Sequence, residues 1–318
     1  MKIGLDMMGG DFAPLEAVKG LQLFLSSQEE APANVFLFGD EAQVRPLLEE
    51  HQVPLDRVTV VHTPQVIGMH EHPTKALKEK QQSSITVGFH FLASGKIDAF
   101  ISAGNTGAML VGACYSLKSI EGVLRPTIST IIPKEDGKTG LLLDVGLNAD
   151  CKPENLNQFA LLGSLYAKHI LGIEQPRVGL INIGEEEGKG NILAQATYPL
   201  LKENNQINFV GNVEGRDVFI DSADVMVCEG FTGNIILKLA ESLYDITQRK
   251  SIEHEYFDRF NFENYGGTPV LGISKPVIIG HGISHAKAFK NMLSLSSKMI
   301  NSDLFEQMQQ AFAPSALS

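Results

Sequence analysis

Lys189 stands between Gly188 and Gly190, directly after the acidic run Glu185-Glu186-Glu187. A lysine flanked by glycines carries a compact charge on a backbone with little local packing. Such a charge can hold a phosphate or a developing oxyanion; the same residues would also serve as an exposed charged turn. The three acids could orient the lysine or meet a partner. No histidine accompanies them and a lysine adjoins them, which is a poor donor set for a divalent cation. Asn234 ends the run Glu229-Gly230-Phe231-Thr232-Gly233-Asn234. Its amide can donate to a carbonyl oxygen, while Thr232 or Asn234 could equally cap the helix that follows. Ser102, Asn105 and Thr106 place two hydroxyls and an amide among small residues. Gly9 and Gly10, flanked by Asp6 and Asp11, let backbone N–H groups approach an anion, although either acid could instead tie the loop to a neighbouring amide. His281 lies in Gly280-His281-Gly282-Ile283-Ser284 and is a further candidate for the phosphate site or for a general acid.

These residues must be positioned by the elements around them. Six junctions have the same form, an apolar run that ends in glycines and polar residues before a helical pattern: 6–11, 102–107, 144–148, 182–191, 229–234 and 280–284. In an open α/β sheet such loops lie where strands hand over to helices, and ligands bind at that edge. Strands are expected at 3–6, 35–39, 58–62, 98–102, 127–132, 141–145, 178–183, 207–210, 225–228 and 277–279. Helices are expected at 14–26, 41–51, 73–81, 85–94, 107–118, 155–171, 192–203 and 234–247, with a last one from His285 to about Phe312. The alternation predicts a largely parallel, Rossmann-like α/β sheet with helices on both faces. No linker interrupts it, so residues 1–318 read as one domain with room for two lobes. The stretch Glu241–Asn264 differs: charges alternate with Tyr244, Tyr256, Phe257, Phe260 and Phe262. It reads either as a solvated excursion whose aromatics pack back on the body, or as a protruding element that meets a partner subunit or a membrane.

A net charge of -11 argues against a general nucleic-acid binder. Cys114, Cys151 and Cys228 are widely spaced, which fits a reducing compartment and no metal site. The chain opens on a strand, without the apolar stretch of a signal peptide, and no run is long enough to span a membrane. A cytoplasmic location follows as the expectation. A Gly-x-Ser-x-Gly elbow, a Walker lysine loop and His-Glu-x-x-His are all absent from the sequence.

The ordered runs Asp6–Asp11, Ser102–Gly107, Asp144–Asn148, Cys151–Glu154, Asn182–Asn191, Gly211–Asp217, Gly230–Asn234 and Tyr265–Gly267 resemble the bacterial phosphate acyltransferase family over nearly the whole chain. Met7 departs mildly from the usual first loop, Lys78 stands where the family often has arginine, and the segment between Lys238 and Tyr265 is shorter than the family's amphipathic hairpin. The resemblance implies the fold of phosphotransacetylases and of isocitrate and isopropylmalate dehydrogenases. It implies reversible transfer of a fatty acyl group from acyl carrier protein to inorganic phosphate, in a homodimer without a cofactor. The product would pass to a membrane glycerol-3-phosphate acyltransferase, so the protein could sit peripherally at the inner face of the membrane. Lys189 and Asn234 match the family positions expected to act in catalysis. Gly9, Gly10, Ser102, Asn105, Thr106 and His281 are the candidates for phosphate or pantetheine contacts. Other readings remain: a phosphotransacetylase acting on coenzyme A thioesters, and a non-catalytic module that binds acyl carrier protein. The shortened segment, rich in acids, predicts weak or absent intrinsic membrane binding.

Overall fold

In the computed structural model, residues 1–27 and 33–313 are described. Their strands are β1 (Lys2–Asp6), β2 (Asn34–Gly39), β3 (Val58–His62), β4 (Ala99–Ser102), β5 (Thr127–Pro133) and β6 (Thr139–Leu143). They continue with β7 (Arg177–Asn182), β8 (Asn208–Glu214), β9 (Val225–Val227), β10 (Thr268–Leu271) and β11 (Val277–Ile279). The helices of the first half are α1 (Leu15–Ser26), α2 (Glu41–Glu50), α3 (Pro73–Glu79), α4 (Ser84–Ala93) and α5 (Thr106–Ser116). Then come α6 (Pro153–Tyr166), α7 (Ile192–Glu203), α8 (Gly230–Arg249), α9 (Glu255–Asp258), α10 (Ala286–Asn301) and α11 (Leu304–Phe312).

The chain divides into two compact units, Met1–Lys118 with Phe262–Ser302, and Ser119–Asn261 with the stretch from Asp303 onward. In the first unit the strand order is β3-β2-β1-β4-β11-β10, parallel from β3 to β11, with β10 antiparallel to β11. Ile3 and Leu5 of β1 are fully buried, as are Ala99, Phe100 and Ile101 of β4. Such continuous apolar runs belong to strands covered on both faces. Phe38, Phe89 and Phe100 meet edge to face, and Phe89 on α4 holds that helix to the sheet. Helix α1 packs on α10 at Gly20, where a Cβ would come within 2.4 Å of the Phe289 Cβ. Because β1 connects outward to β2 while β4 lies on its other side, the C-terminal ends of β1 and β4 form a topological switch point.

The second unit has the order β5-β6-β9-β7-β8, with β5 and β6 an antiparallel hairpin and the remainder parallel. Leu141, Leu142 and Leu143 on β6 and Val225, Met226 and Val227 on β9 are buried, and Phe159 and Leu162 of α6 are fully buried. The strands β6, β9 and β7 are neighbours and run the same way, so the loops that follow them leave from one edge.

All ten expected strands are present, within a few residues at each end. Sequence reading missed β10: four residues long, with a proline at its second position, it resembles a loop. The last expected helix is two, α10 and α11, separated by Ser302 and Asp303. Helix α8 begins four residues before the expected Asn234. The excursion at 241–264 is the end of α8, a turn, and the single-turn α9. Two of its aromatics pack back on the second unit: Phe260 is buried against Phe219 and Tyr256, and the Tyr256 hydroxyl donates to the Pro133 carbonyl. Arg259 donates to the Lys134 and Lys138 carbonyls of the β5–β6 hairpin. Among the described residues, no helix is long and apolar enough to cross a membrane.

Candidate active site

The first unit gathers Gly9, Gly10, Ser102, Asn105, Thr106 and His281 at the C-terminal ends of β1, β4 and β11. At their centre is Asp6, fully buried at the end of β1. Its carboxylate accepts the Ser102 hydroxyl at 2.6 Å and the Met8 N–H at 2.9 Å. Burial pushes this carboxyl above the usual carboxylate range, against the lowering effect of bonds from Ser102, Ser84, Met8 and Gly9. The Ser102 oxygen also accepts the Gly104 N–H at 2.9 Å. Ser102 is fully buried and its one proton is spent, so it holds the two loops together rather than facing outward. Gly9 fits this junction because a Cβ there would meet the Asp6 carboxylate at 2.5 Å and the Gly104 nitrogen at 2.6 Å.

Asn105 is likewise committed. Its side-chain oxygen caps α5 by accepting the Ala108 N–H at 2.9 Å. Its amide donates to the carbonyls of Gly68, Met69 and Glu71 at 2.9, 3.2 and 3.0 Å. This one side chain starts a helix and anchors the 68–71 loop. Thr106, the first residue of α5, is exposed. It leads the helix terminus, where backbone N–H groups have no partner within the helix. Gly10 takes φ +107° and lies under the Gly282 carbonyl, which accepts the Asp11 N–H at 2.7 Å. His281 is half-buried, its ring 4.4 Å from that of Phe262.

Lys78 lies elsewhere in this unit. It lines a groove of about 290 Å³ with Leu77, Phe89, Val111 and Tyr115. The groove sits against the C-terminal half of α5, at the other end of that helix from Thr106.

The second unit carries Lys189 and Asn234. Lys189 is exposed, and its ammonium makes no ion pair or hydrogen bond among the described residues. Its backbone is pinned all the same. The Lys189 carbonyl accepts from the Asn182 amide at 3.1 Å, and the Lys189 N–H donates to the Glu186 carbonyl at 3.1 Å. The Asn212 amide donates to the Glu186 carbonyl at 2.9 Å, and Gln195 donates to the Gly188 and Gly190 carbonyls at 3.0 and 3.1 Å. The stem of the lysine crosses Gly184, where a Cβ would meet its Cγ at 3.1 Å. Of the three acids, Glu187 pairs with Lys202 at 2.9 Å.

Asn234 is one turn inside α8 and is not its cap. Glu229 caps that helix, accepting the Thr232 N–H at 3.2 Å and the Thr232 hydroxyl at 2.5 Å. The Asn234 side chain is exposed, lies against Gly146, and has no hydrogen bond among the described residues. The loop carrying Gly146 hangs on Asp144. This buried carboxylate accepts N–H bonds from Gly146, Leu147 and Asn148 at 3.0, 3.0 and 2.8 Å, and the Asn148 amide at 2.6 Å. Burial again pushes the carboxyl upward. The first turn of α8 presses on this loop: a Cβ at Gly233 would stand 1.8 Å from the Asp144 carbonyl oxygen.

Sequence reading did not single out Asp144, Asn182, Asn212 and Gln195 as the frame of this edge. A recognisable signal is present at Asp144-Val-Gly-Leu-Asn148, an acid closing a strand before a tight polar turn. Burial pushes the Cys151 thiol up to about 12 and Cys228 well above its ordinary range, which disfavours their thiolates. Among the described residues, no three His, Cys, Asp or Glu side chains are grouped to hold a metal ion.

The chain has relatives both in fold and in sequence. The phosphotransacetylase of Streptococcus pyogenes superposes with a TM-score of 0.66 at 15% identity, covering 94% of each chain. The EutD phosphotransacetylase of Staphylococcus aureus gives 0.61 at 15% identity with the same coverage, and both likenesses concern the fold alone. In sequence, the phosphate acyltransferase of Dictyoglomus turgidum is 43% identical, over 94% of each chain. That of Aquifex aeolicus is also 43% identical, over 97% of this chain and 96% of its own. The family model described as "Fatty acid synthesis protein" matches residues 1–307. Matched over that length, the chain belongs to the fatty acid synthesis protein family, alongside the phosphate acyltransferases.

Proposed function

We propose that this chain is a phosphate acyltransferase that moves a fatty acyl group reversibly from acyl carrier protein to inorganic phosphate. The observation that carries the reading is two uncommitted donors, Lys189 on a loop held by Asn182, Asn212 and Gln195, and Asn234 in the second turn of α8. A phosphate oxygen attacks the thioester carbonyl carbon. The carbon–oxygen bond forms, the carbon–sulfur bond breaks, and the carrier's thiol leaves with a proton. Phosphate supplies the nucleophile, so a protein hydroxyl or thiol is not needed. What the protein must add is placement and charge for the tetrahedral oxyanion. Lys189 and Asn234 are assigned to that oxyanion. In the first unit, taken by itself, Thr106 and the α5 terminus, with the Gly9–Gly10 loop and His281, are the candidate contacts for an anion. Ser102 and Asn105 support these loops from behind.

The deciding experiment measures phosphate-dependent turnover of palmitoyl thioesters of acyl carrier protein and of coenzyme A, with and without chelator. Acyl phosphate from the carrier thioester, undiminished by chelator, is expected. Preference for the coenzyme A thioester would replace the carrier reading, and loss of product in chelator, restored by a divalent ion, would overturn a metal-independent reaction.

A homodimer belongs to the same reading. Phe231, Ile235 and Leu239 are exposed at four-residue spacing along one face of α8. Light scattering on Leu239→Glu is expected to show monomer where the unaltered chain shows dimer; equal masses would remove α8 from the interface. Intrinsic membrane binding is expected to be weak, since Phe260 and Tyr256 are engaged with Phe219 and Pro133. Strong co-sedimentation with anionic vesicles, lost on deleting residues 248–262, would refute that.

A further inference from the structure

Beside the glycine loops of the first unit, three apolar side chains stay exposed: Met69 at 37%, Ile283 at 55% and Phe12 at 43%. They come from three distant segments linked by one backbone bond, one side-chain amide and a close contact. Asn105, which caps α5, donates to the Met69 carbonyl. Gly282 sits beneath the Met69 thioether, a Cβ there falling 2.7 Å from the Met69 Cε, and its carbonyl accepts the Asp11 N–H. Phe12 follows Asp11 and stacks on His285 with ring centroids 4.5 Å apart. Single exposed apolar residues need no explanation, but a linked group beside anion-binding loops does.

We propose that Met69, Ile283 and Phe12 form the seat for the acyl-chain methylenes that lie beyond the reach of a butyryl group, and so set the chain-length preference. The inference rests on the transfer reading above. An amphipathic substrate with an anionic or carbonyl head and an alkyl tail matches a polar loop cluster with an apolar collar; free phosphate alone would leave the collar without a role. Met69 supplies an unbranched, polarizable side chain that can follow alkyl chains of different shape. Its backbone is fixed by Asn105, so the adaptability lies in the side chain alone.

The test compares kcat/KM for palmitoyl and butyryl thioesters of acyl carrier protein. The ratio belongs to the folded fraction, so partial misfolding cancels. In Met69→Ala/Ile283→Ala the palmitoyl-to-butyryl ratio is expected to fall about tenfold, the scale of a few lost apolar contacts. Met69→Gln, matched in length, is expected to lower it as well, while Met69→Leu restores it. An unchanged ratio in the double variant and in Met69→Gln overturns the seat, whatever happens to total activity. If the unaltered protein makes no acyl phosphate, the transfer reading fails separately. The seat is then judged by binding of decyl phosphate against butyl phosphate: a ratio that the same substitutions reduce supports it, and an unaltered ratio refutes it.

Discussion

The loop edges of the two units are built on the same plan and spend their polar side chains differently. Each hangs on a buried aspartate at the end of a strand, Asp6 in one and Asp144 in the other, and each aspartate gathers N–H and side-chain donors from the turn that follows. In the first unit the conspicuous polar residues are themselves the frame: Ser102 and Asn105 spend their hydrogen-bonding groups on Asp6, Gly104, Ala108 and the 68–71 loop. In the second unit the frame and the uncommitted donors are different residues. Asp144, Asn148, Asn182, Asn212 and Gln195 hold the backbone, and Lys189 and Asn234 are left over. A polar side chain near a ligand edge is informative only once its own partners have been counted.

The sharpest way to break this comparison is to remove the leftover donors. Lys189→Ala is expected to lower kcat on the order of 100-fold or more, as loss of an oxyanion donor does. The unfolding midpoint should hardly move, because the ammonium has no partner to lose. Asn234→Ala is expected to act similarly and equally cleanly, since Glu229, and not Asn234, caps α8. Near-normal turnover in either folded variant would place the oxyanion elsewhere.

Ser102→Ala should behave in the opposite sense. It strips one donor from the buried Asp6 carboxylate and orphans the Gly104 N–H. A loss of about 2–3 kcal/mol in denaturant unfolding is expected, from the cost of unmatched buried groups. Turnover of the remaining folded protein should fall far less than in Lys189→Ala. A raised KM for phosphate with unchanged stability would return Ser102 to the ligand. Thr106→Val sharpens the other side of the distinction. Thr106 is exposed, so stability should stay within about 0.5 kcal/mol, while the KM for phosphate rises roughly tenfold through loss of a hydrogen bond to a charged oxygen. An unaltered KM would leave the α5 terminus without a ligand role.

The strand and helix order was legible because each element carries its own signal: continuous apolar runs for the parallel strands, proline at the start of α3, capping residues before α4 and α7. Where the sequence misled, a tertiary contact had overridden the local rule. Gly230 and Gly233 read as loop residues, yet they open α8, because only a residue without Cβ fits beside the Asn148 and Asp144 backbone. Strand β10 was hidden by Pro269 and by its antiparallel pairing to β11, which lacks a helical crossover to announce it. For the candidate site, residue type and loop position pointed to segments that the fold places at the C-terminal ends of strands. Which member of a segment is frame and which is free depends on partners far along the chain. Asn105 meets a loop more than 30 residues earlier, and Ser102 meets Asp6 at a separation of 96. Short-range spacing cannot report either.

The smallest effect concerns the end of the second unit's sheet away from these loops. Arg177 begins β7 and Asn182 ends it, roughly 17 Å apart at about 3.3 Å per residue. There Arg177 pairs with Asp224 at 2.9 Å and with Asp221, and Lys138 pairs with Asp221 at 2.7 Å. Lys138 and Arg177 hold the Asp221 carboxyl down from 3.8 to about 2. With the native pKa depressed, the unfolded chain binds more protons between those two values. The stabilisation is therefore complete above the ordinary pKa and is lost as pH falls toward about 2. Asp221 is about a third exposed, and screening should keep the effect below about 1 kcal/mol. Unfolding free energies of the unaltered chain and of Asp221→Asn should differ by a constant amount near neutral pH. That difference should shrink through the acid limb and close near the depressed pKa. Turnover at neutral pH should be the same in both, because this edge frames the sheet and not the site. A difference that persists at the lowest pH would show that packing, and not the charge of Asp221, supports that edge. A fall in turnover would show that the two ends of β7 are coupled.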